Sequence, residues 1–336
     1  MRERITQTGE SIGSSVIWAV ALFSLLVFSA PLTWVGESLS DLRWHVGSLA
    51  LVLSIVGMTL LPRKRVAFFC TLCLAVYNLF PAMRVFLPST ATDVLAGTEV
   101  TVVQVRWEED PTDSLEARLN SQLADLAVVT GVDSDAIQSL KENLVDWPYS
   151  MSSPTLEMDG GKDAHSFGTI VFSKYPLDEP EVITFAENTI FMEAQINIEG
   201  PPVHLRVVSL PPPGPGDREH DREALLMDLE TRSWDLRTIL AIDLGASDTS
   251  MAYDRVRGLG GLADARQGIG RQATFKASFG GFALPGVSMP RDFTFVGGEI
   301  GVIDRFSESV TAIDRERPLY QGADHSAITT RLRIVN

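Results

Sequence analysis

Three carboxylates and one histidine have the types and settings that metal-assisted hydrolysis needs. Asp243 ends the apolar run ILAIDL, Asp292 opens PRDFTFV, and Asp324 and His325 are adjacent in QGADHSAIT, just ahead of a last apolar run. A carboxylate at a strand end is held by a rigid sheet and can present oxygen to a hard cation, while an imidazole nearby carries a proton. Singly, each has an ordinary alternative: an Asp-His pair caps a surface turn, and a terminal Asp merely ends a strand. Their combination, each member beside a strand, points to metal-assisted hydrolysis.

Other reactive residues point nowhere in particular. Cys70 and Cys73 have C-x-x-C spacing, but they lie inside an apolar run with no His or second Cys pair nearby, and read as small apolar residues on one helix face. His165, His204 and His220 are scattered among polar neighbours, as surface histidines are, and Glu108-Glu109-Asp110 reads as a solvated turn. GLGGLAD and GIGRQ lack the Lys-Ser/Thr ending of a phosphate-binding loop and read as turns.

The elements that must position these groups follow from periodicity. EVTVVQVRW (99–107) is β-branched and predicts a strand, 114–126 has Leu115, Leu119, Leu123 and Leu126 at helical spacing, and 127–130 predicts a short buried strand, together a β-α-β unit. GTIVFS (168–173), 189–198 and 203–210 read as consecutive antiparallel strands. PPPGPG (211–216) can only be a loop, 217–232 is helical, and 237–244 returns as a buried strand ending in Asp243. Strands are expected at 291–296, 309–313 and 328–335, giving two packed sheets with helices outside; a doubly wound sheet is the competing arrangement.

The chain has 336 residues and a formal charge of −15, with 45% hydrophobic residues, which excludes a disordered polyanion. The charge is unevenly spread. Residues 1–87 hold seven basic and four acidic residues, a balance of +3, leaving −18 for the remainder. Bulk-charge binding of nucleic acid by so acidic a domain is disfavoured. Three charge-free apolar runs, 16–35, 44–61 and 66–83, are each long enough for a helix to cross about 27–30 Å of hydrocarbon, so three transmembrane helices are expected. A cleaved signal peptide would account for the first run but not for the other two. Arg2 and Arg4 precede the first run and Arg63-Lys64-Arg65 fill the second turn, which puts both on the cytoplasmic side and the acidic domain outside. The expected organisation is an anchor over 1–87, a linker over 88–98 and a soluble domain over 99–336. That domain has no cysteine and must rely on its core.

Taken in order, ILAIDLGAS, GLADARQGIGRQATF, PRDFTFVGGEI and GADHSAITTRL resemble the carboxyl half of the endonuclease/exonuclease/phosphatase family, especially bacterial membrane-anchored members with three amino-terminal spans. TVVQVRW, LADLAVVTGVD, GTIVFSKYPL and VVSLPPPGPGDREHDREAL resemble its earlier blocks, so the likeness runs from about residue 100 to the end. The resemblance implies a four-layer α/β/β/α sandwich, Mg²⁺-dependent (or Mn²⁺-dependent) phosphoester cleavage, and an inner-membrane protein with a cytoplasmic amino terminus and a periplasmic domain. It also implies roles: Asp243 orients the attacking water, Asp292 orients His325, and Asp324 helps hold the metal.

The same resemblance marks departures. The family's GDxN motif reads Ile242-Asp243-Leu244-Gly245 here, so its phosphate-contacting Asn is Gly245. Its metal-binding Glu falls at Gly131, its first-strand Asn at Gln104 or Arg106, and its mid-domain His at Leu210. Losing a transition-state donor costs about 10²–10³ in rate, and a glycine in place of a carboxylate removes a charged ligand. Arg106, if it faces the pocket, could stand in for the metal's charge and grip an anion. Asp133 could supply a substitute carboxylate, if its strand continues. The expectation is a membrane-anchored phosphoester hydrolase with an impaired or altered site; the alternative is an inactive pseudoenzyme binding an anion or a partner. The lipid bilayer and a phosphate ester or other anion are the expected partners.

Overall fold

The computed structural model describes residues 15, 17–27, 34–60, 65–87, 96–106, 123–153, 156–157, 166–185, 189–269, 275–279, 282–308 and 327–335. They form two compact units: unit 1 is Met1–Arg84 with Pro213–Pro215 and Ala246–Asp254, and unit 2 is Val85–Pro212, Gly216–Gly245 and Arg255–Asn336.

Unit 1 contains helices α1 (Ile17–Val27), α2 (Trp34–Ser40), α3 (Arg43–Leu60) and α4 (Arg65–Met83). Its interior is small: Val20, Ala50 and Ala75 meet there, and Asn78 Nδ2 donates to Ser24 Oγ at 2.8 Å. Large apolar side chains such as Trp18, Leu49, Ile55, Phe69 and Phe80 point outward instead, the reverse of a water-soluble bundle. Pro81 lies inside α4 and has no N–H for the carbonyl of Tyr77; Arg43 Nη2 donates to that carbonyl at 3.0 Å. Among the described residues one helix, Arg65–Phe86, is long and apolar enough to cross a membrane, and the apolar helices Ile17–Val27 and Arg43–Thr59 are shorter. The three-span expectation is thus met in length by the last run alone. Of the first run, 17–27 is described as α1 and its last two residues, Trp34 and Val35, as the start of α2.

Unit 2 is built on two sheets. The first combines β1 (Thr98–Arg106), β2 (Leu126–Val132), β3 (Tyr149–Ser152), β4 (Leu156–Glu157) and β5 (Ser166–Ser173) with the late strands β14 (Ile300–Glu308) and β15 (Ala327–Ile334), in the order β14-β15-β1-β2-β5-β3, with β4 also on β5. The second contains β6 (Leu177–Phe185), β7 (Thr189–Ile196), β8 (Val203–Ser209), β9 (Thr238–Asp243), β10 (Leu262–Asp264) and β13 (Asp292–Gly297), ordered β10-β13-β9-β8-β7-β6. A separate hairpin joins β11 (Phe275–Phe279) and β12 (Phe282–Met289). Each sheet has one parallel pair at its centre, β1 with β2 and β8 with β9, flanked by antiparallel neighbours.

Period-two alternation explains the core. Val100, Val102, Leu126, Val128 and Val171 of the first sheet pack against Met192, Leu205, Val207, Ile239, Ala241 and Val296 of the second. The opposite residues of the first sheet, Val103, Val105, Val129 and Ile170, pack with Ile137 and Leu140 of α5 (Ser134–Asn143). Beside the second sheet, α6 (Asp217–Thr231) packs on β6 and β7 and buries Leu225, Leu226 and Leu229. This is a mixed two-sheet sandwich with a helix outside each sheet; the doubly wound alternative is excluded.

Several expectations change. The helix expected over 114–126 lies outside the described residues up to 122, and Leu126 opens β2. β5 does not continue into β7 and β8 as one antiparallel run; it pairs with β2 and β3 in the other sheet. β6 was not anticipated, because Pro180 and three acids make LDEPEVITF a poor central strand, and it is indeed an edge strand. The strand expected at 309–313 falls outside the described residues.

Asp125, just before β2, accepts the Thr101 N–H at 2.9 Å. Burial pushes its carboxyl above the ordinary range, opposed by that hydrogen bond and by Lys174. The unfolded chain therefore ionises first as pH rises, the native state binds more protons between the two values, and stability falls through that window. Asp125→Asn, which keeps an acceptor oxygen, should be more stable than the parent at pH 7, and the difference should shrink as pH falls through the raised carboxyl value; thermal denaturation of both proteins across that range checks it.

Candidate functional site

At one end of the sandwich the inward-facing residues change from apolar to polar. Along β1, Val100 and Val102 give way to Gln104 and Arg106; along β2, Leu126 and Val128 give way to Thr130; on β5, Val171 is followed towards the same end by Thr169. In the second sheet Ile239 and Ala241 lead to Asp243, and Val296 leads through Thr294 to Asp292. Register aligns them: Arg106 is opposite Thr130, Thr130 opposite Thr169, and Asp243 opposite Asp292. Two of the four principal sequence-predicted residues, Asp243 and Asp292, are thereby neighbours, both about 6% exposed. Asp324 and His325 lie outside the described residues.

Asp243 is engaged on both oxygens. Arg106 Nη1 stands 3.3 Å from Oδ2, and Oδ1 accepts the Gly245 N–H at 3.0 Å. The Arg106 side chain is the more exposed partner, at 28% against 5% for Asp243, so its guanidinium reaches from the cleft onto a buried carboxylate. Gln104 is held differently: its Nε2 donates to the Phe293 carbonyl at 3.1 Å and its Oε1 accepts the Thr294 hydroxyl at 2.8 Å. A side chain so fixed braces β1 against β13. Both residues face inward, Gln104 as a brace and Arg106 at the carboxylate.

Asp133 does not serve the site. β2 ends at Val132, and Asp133 becomes the N-cap of α5, accepting the Ala136 N–H at 2.7 Å. A short carboxylate followed by helix-compatible residues caps a helix in preference to extending a strand. Gly131, where the resemblance placed a metal-binding Glu, has φ of +75° and falls where the β2–β5 register slips between Thr130 and Val132. It is a bulge, and any other residue type there is strained. Leu210, where the resemblance placed a His, is buried and gives its backbone N–H to the Asp243 carbonyl, at 2.9 Å.

Three supports were missed in the sequence. Thr130 and Thr169 have buried hydroxyls without a hydrogen-bond partner, side by side on the inward face. An apolar-to-threonine switch at a strand end was the available signal. Arg222 of α6 is buried and its Nη1 donates to the carbonyls of Pro211 and Leu244, at 2.8 and 2.7 Å, fastening the two loops that meet beside Asp243. Arg305 Nη2 donates to the Asp292 carbonyl at 3.2 Å.

The described residues do not fit a divalent cation. A hard cation needs several oxygen ligands with negative charge, yet a guanidinium stands against Asp243, Gly131 supplies no carboxylate, and no group of three His, Cys, Asp or Glu is gathered among the described residues. What the arrangement can do is hold an anion: an arginine and two unpartnered hydroxyls lie in one row across three strands.

No protein-family model and no curated protein matches this chain. Solved structures do. An endonuclease/exonuclease/phosphatase from Beutenbergia cavernae DSM 12333 superposes with a TM-score of 0.55 at 17% identity, over 71% of this chain and 72% of that one. D. rerio TDP2, solved with a single-strand DNA product, gives 0.53 at 14% identity, over 70% and 99%. An endonuclease/exonuclease/phosphatase family protein from Bacteroides thetaiotaomicron gives 0.51 at 14% identity, over 72% and 99%. At such identities the likeness is one of architecture, and on that ground the chain has the two-sheet α/β sandwich fold of the endonuclease/exonuclease/phosphatase proteins.

Proposed function

We propose that this protein is a membrane-anchored, outward-facing member of the endonuclease/exonuclease/phosphatase family whose cleft binds a phosphate ester or a similar anion, with metal-dependent hydrolysis impaired. The Arg106–Asp243 ion pair carries this reading. It puts a fixed positive charge beside the carboxylate that would orient water, and a cation there would have to displace or tolerate it. Arg106 with the Thr130 and Thr169 hydroxyls then supplies donors for an oxyanion. Gly131, Gly245 and Leu210 stand where the family resemblance calls for Glu, Asn and His, in keeping with lost turnover.

Anchoring is supported by the outward apolar side chains of unit 1 and by its small-residue interior. In this reading the runs 16–35, 44–61 and 66–83 cross the bacterial inner membrane, the amino terminus is cytoplasmic, and the domain after the 88–98 linker is periplasmic. A second reading, a working Mg²⁺- or Mn²⁺-dependent hydrolase, is favoured by one observation, the register match of Asp243 with Asp292; Asp324 would then hold the metal and His325, oriented by Asp292, would act as the proton carrier.

The full chain in detergent separates the two. Inorganic phosphate at ten times its Kd should stabilise the protein by about 1.4 kcal/mol, raising the melting temperature, and Arg106→Gln should remove that response without adding hydrolysis of bis(p-nitrophenyl) phosphate. Mg²⁺-dependent hydrolysis that disappears in His325→Ala would overturn the proposal in favour of the second reading.

A further inference from the structure

The end of α2 and the short turn after it, ahead of α3, carry two acids, and both are buried. Glu37 and Asp41 are 7% and 6% exposed. A carboxylate leaves water only for strong donors, and within unit 1 these are backbone N–H groups of the segment Ala246–Asp254. Glu37 divides its two oxygens between the N–H groups of Met251 (2.9 Å) and Ala252 (3.0 Å), which open the short helix α7 (Met251–Arg257). Asp41 Oδ1 accepts the Ser247 N–H at 2.7 Å, and the Ser40 carbonyl accepts the Thr249 hydroxyl at 2.5 Å. Ser247, Asp248, Thr249 and Ser250 are all buried despite their polarity. Such a stretch cannot be buried on its own terms: its donors need acceptors, and the Glu37–Asp41 segment supplies them.

The segment also has a particular place in the chain. It continues directly from Asp243-Leu244-Gly245, and the Gly245 N–H is itself bound to Asp243. We propose that the amino-terminal helices do more than tether the protein: the Glu37–Asp41 segment is a positioning device that holds Ala246–Asp254 and, through Gly245, fixes the end of β9 on which Asp243 stands. This goes beyond the functional proposal and does not depend on whether the site turns over.

Amide hydrogen exchange on the full chain in lipid nanodiscs tests the device. In the parent, the amides of Ser247, Met251, Ala252 and Gly245 should be protected. Glu37→Ala should speed exchange at Met251 and Ala252 by about ten-fold or more and raise that of Gly245 as well, while Ile239–Ala241 in β9 remain protected and report an intact sandwich. Glu37→Gln, which retains one acceptor oxygen, should restore part of the protection. If β9 opens in Glu37→Ala, the comparison of Glu37→Gln with the parent decides: slower exchange in the parent supports the device, and equal exchange overturns it. Unchanged exchange at Met251 and Ala252 in a folded Glu37→Ala protein overturns the contact, and an unchanged Gly245 amide overturns its reach to the site.

Discussion

Gly245→Asn should destabilise unit 2 by about 2–3 kcal/mol and create no hydrolase, although it writes the family's GDxN asparagine back into the sequence. Gly245 has φ of +61°, and a Cβ there would stand 2.8 Å from the Leu210 carbonyl oxygen and from both the carbon and the oxygen of the Pro211 carbonyl. Asparagine tolerates the left-handed region better than most residues, so the backbone angle alone is a modest cost. The collision is not. Its partners are backbone atoms, and Arg222 ties down both the Pro211 carbonyl and the neighbouring Leu244 carbonyl, so the loops cannot retreat without breaking buried charge-assisted hydrogen bonds. Urea denaturation of the full chain measures the loss. A variant as stable as the parent, or one that gained Mg²⁺-dependent turnover, would show that the loops yield.

Arg266→Met should cost more, about 3–5 kcal/mol. Arg266 is fully buried, its Nε and Nη2 reach Asp264 at 2.7–3.2 Å, and its guanidinium lies 4.5 Å from the centre of the Phe293 ring. Asp264 is buried too, on β10 opposite Phe295 of β13. Removing the arginine strands a carboxylate in the interior beside the strand that carries Asp292. The penalty belongs to the orphaned charge more than to the lost attraction, so Arg266→Met combined with Asp264→Leu should recover most of the stability. A double variant as unstable as Arg266→Met alone would refute that account.

How much of this was legible beforehand depended on how local the signal was. The strand carrying Asp243 was readable because ILAID is apolar at every position and ends in a charge, and its partner strand because DFTFV alternates. The register that puts Asp243 opposite Asp292 is a long-range pairing that no window of sequence contains. Asp133 misled because an acid two residues beyond a glycine looks like a strand-face neighbour; the structure stops the strand and uses the acid to start a helix that had not been foreseen. For Arg106 the sequence offered only a condition, that it face the pocket, because the alternation of apolar and polar residues along β1 is not clean. Its partner, a carboxylate in the other sheet, could be found only in three dimensions. The apolar runs were the plainest feature of all, yet among the described residues only one helix is long and apolar enough to cross a membrane, because hydropathy marks a run without fixing the length of the helix in it.

The contact between Arg43 and the Tyr77 carbonyl has a consequence for how the chain is made. Pro81 leaves α4 one backbone donor short, and the missing donor arrives from α3. In hydrocarbon an acceptor left bare is costly, so on the anchoring proposed above the third apolar segment would be released from a translocon less readily alone than as a hairpin with the second. The earlier helix would then act as an intramolecular chaperone for the later one.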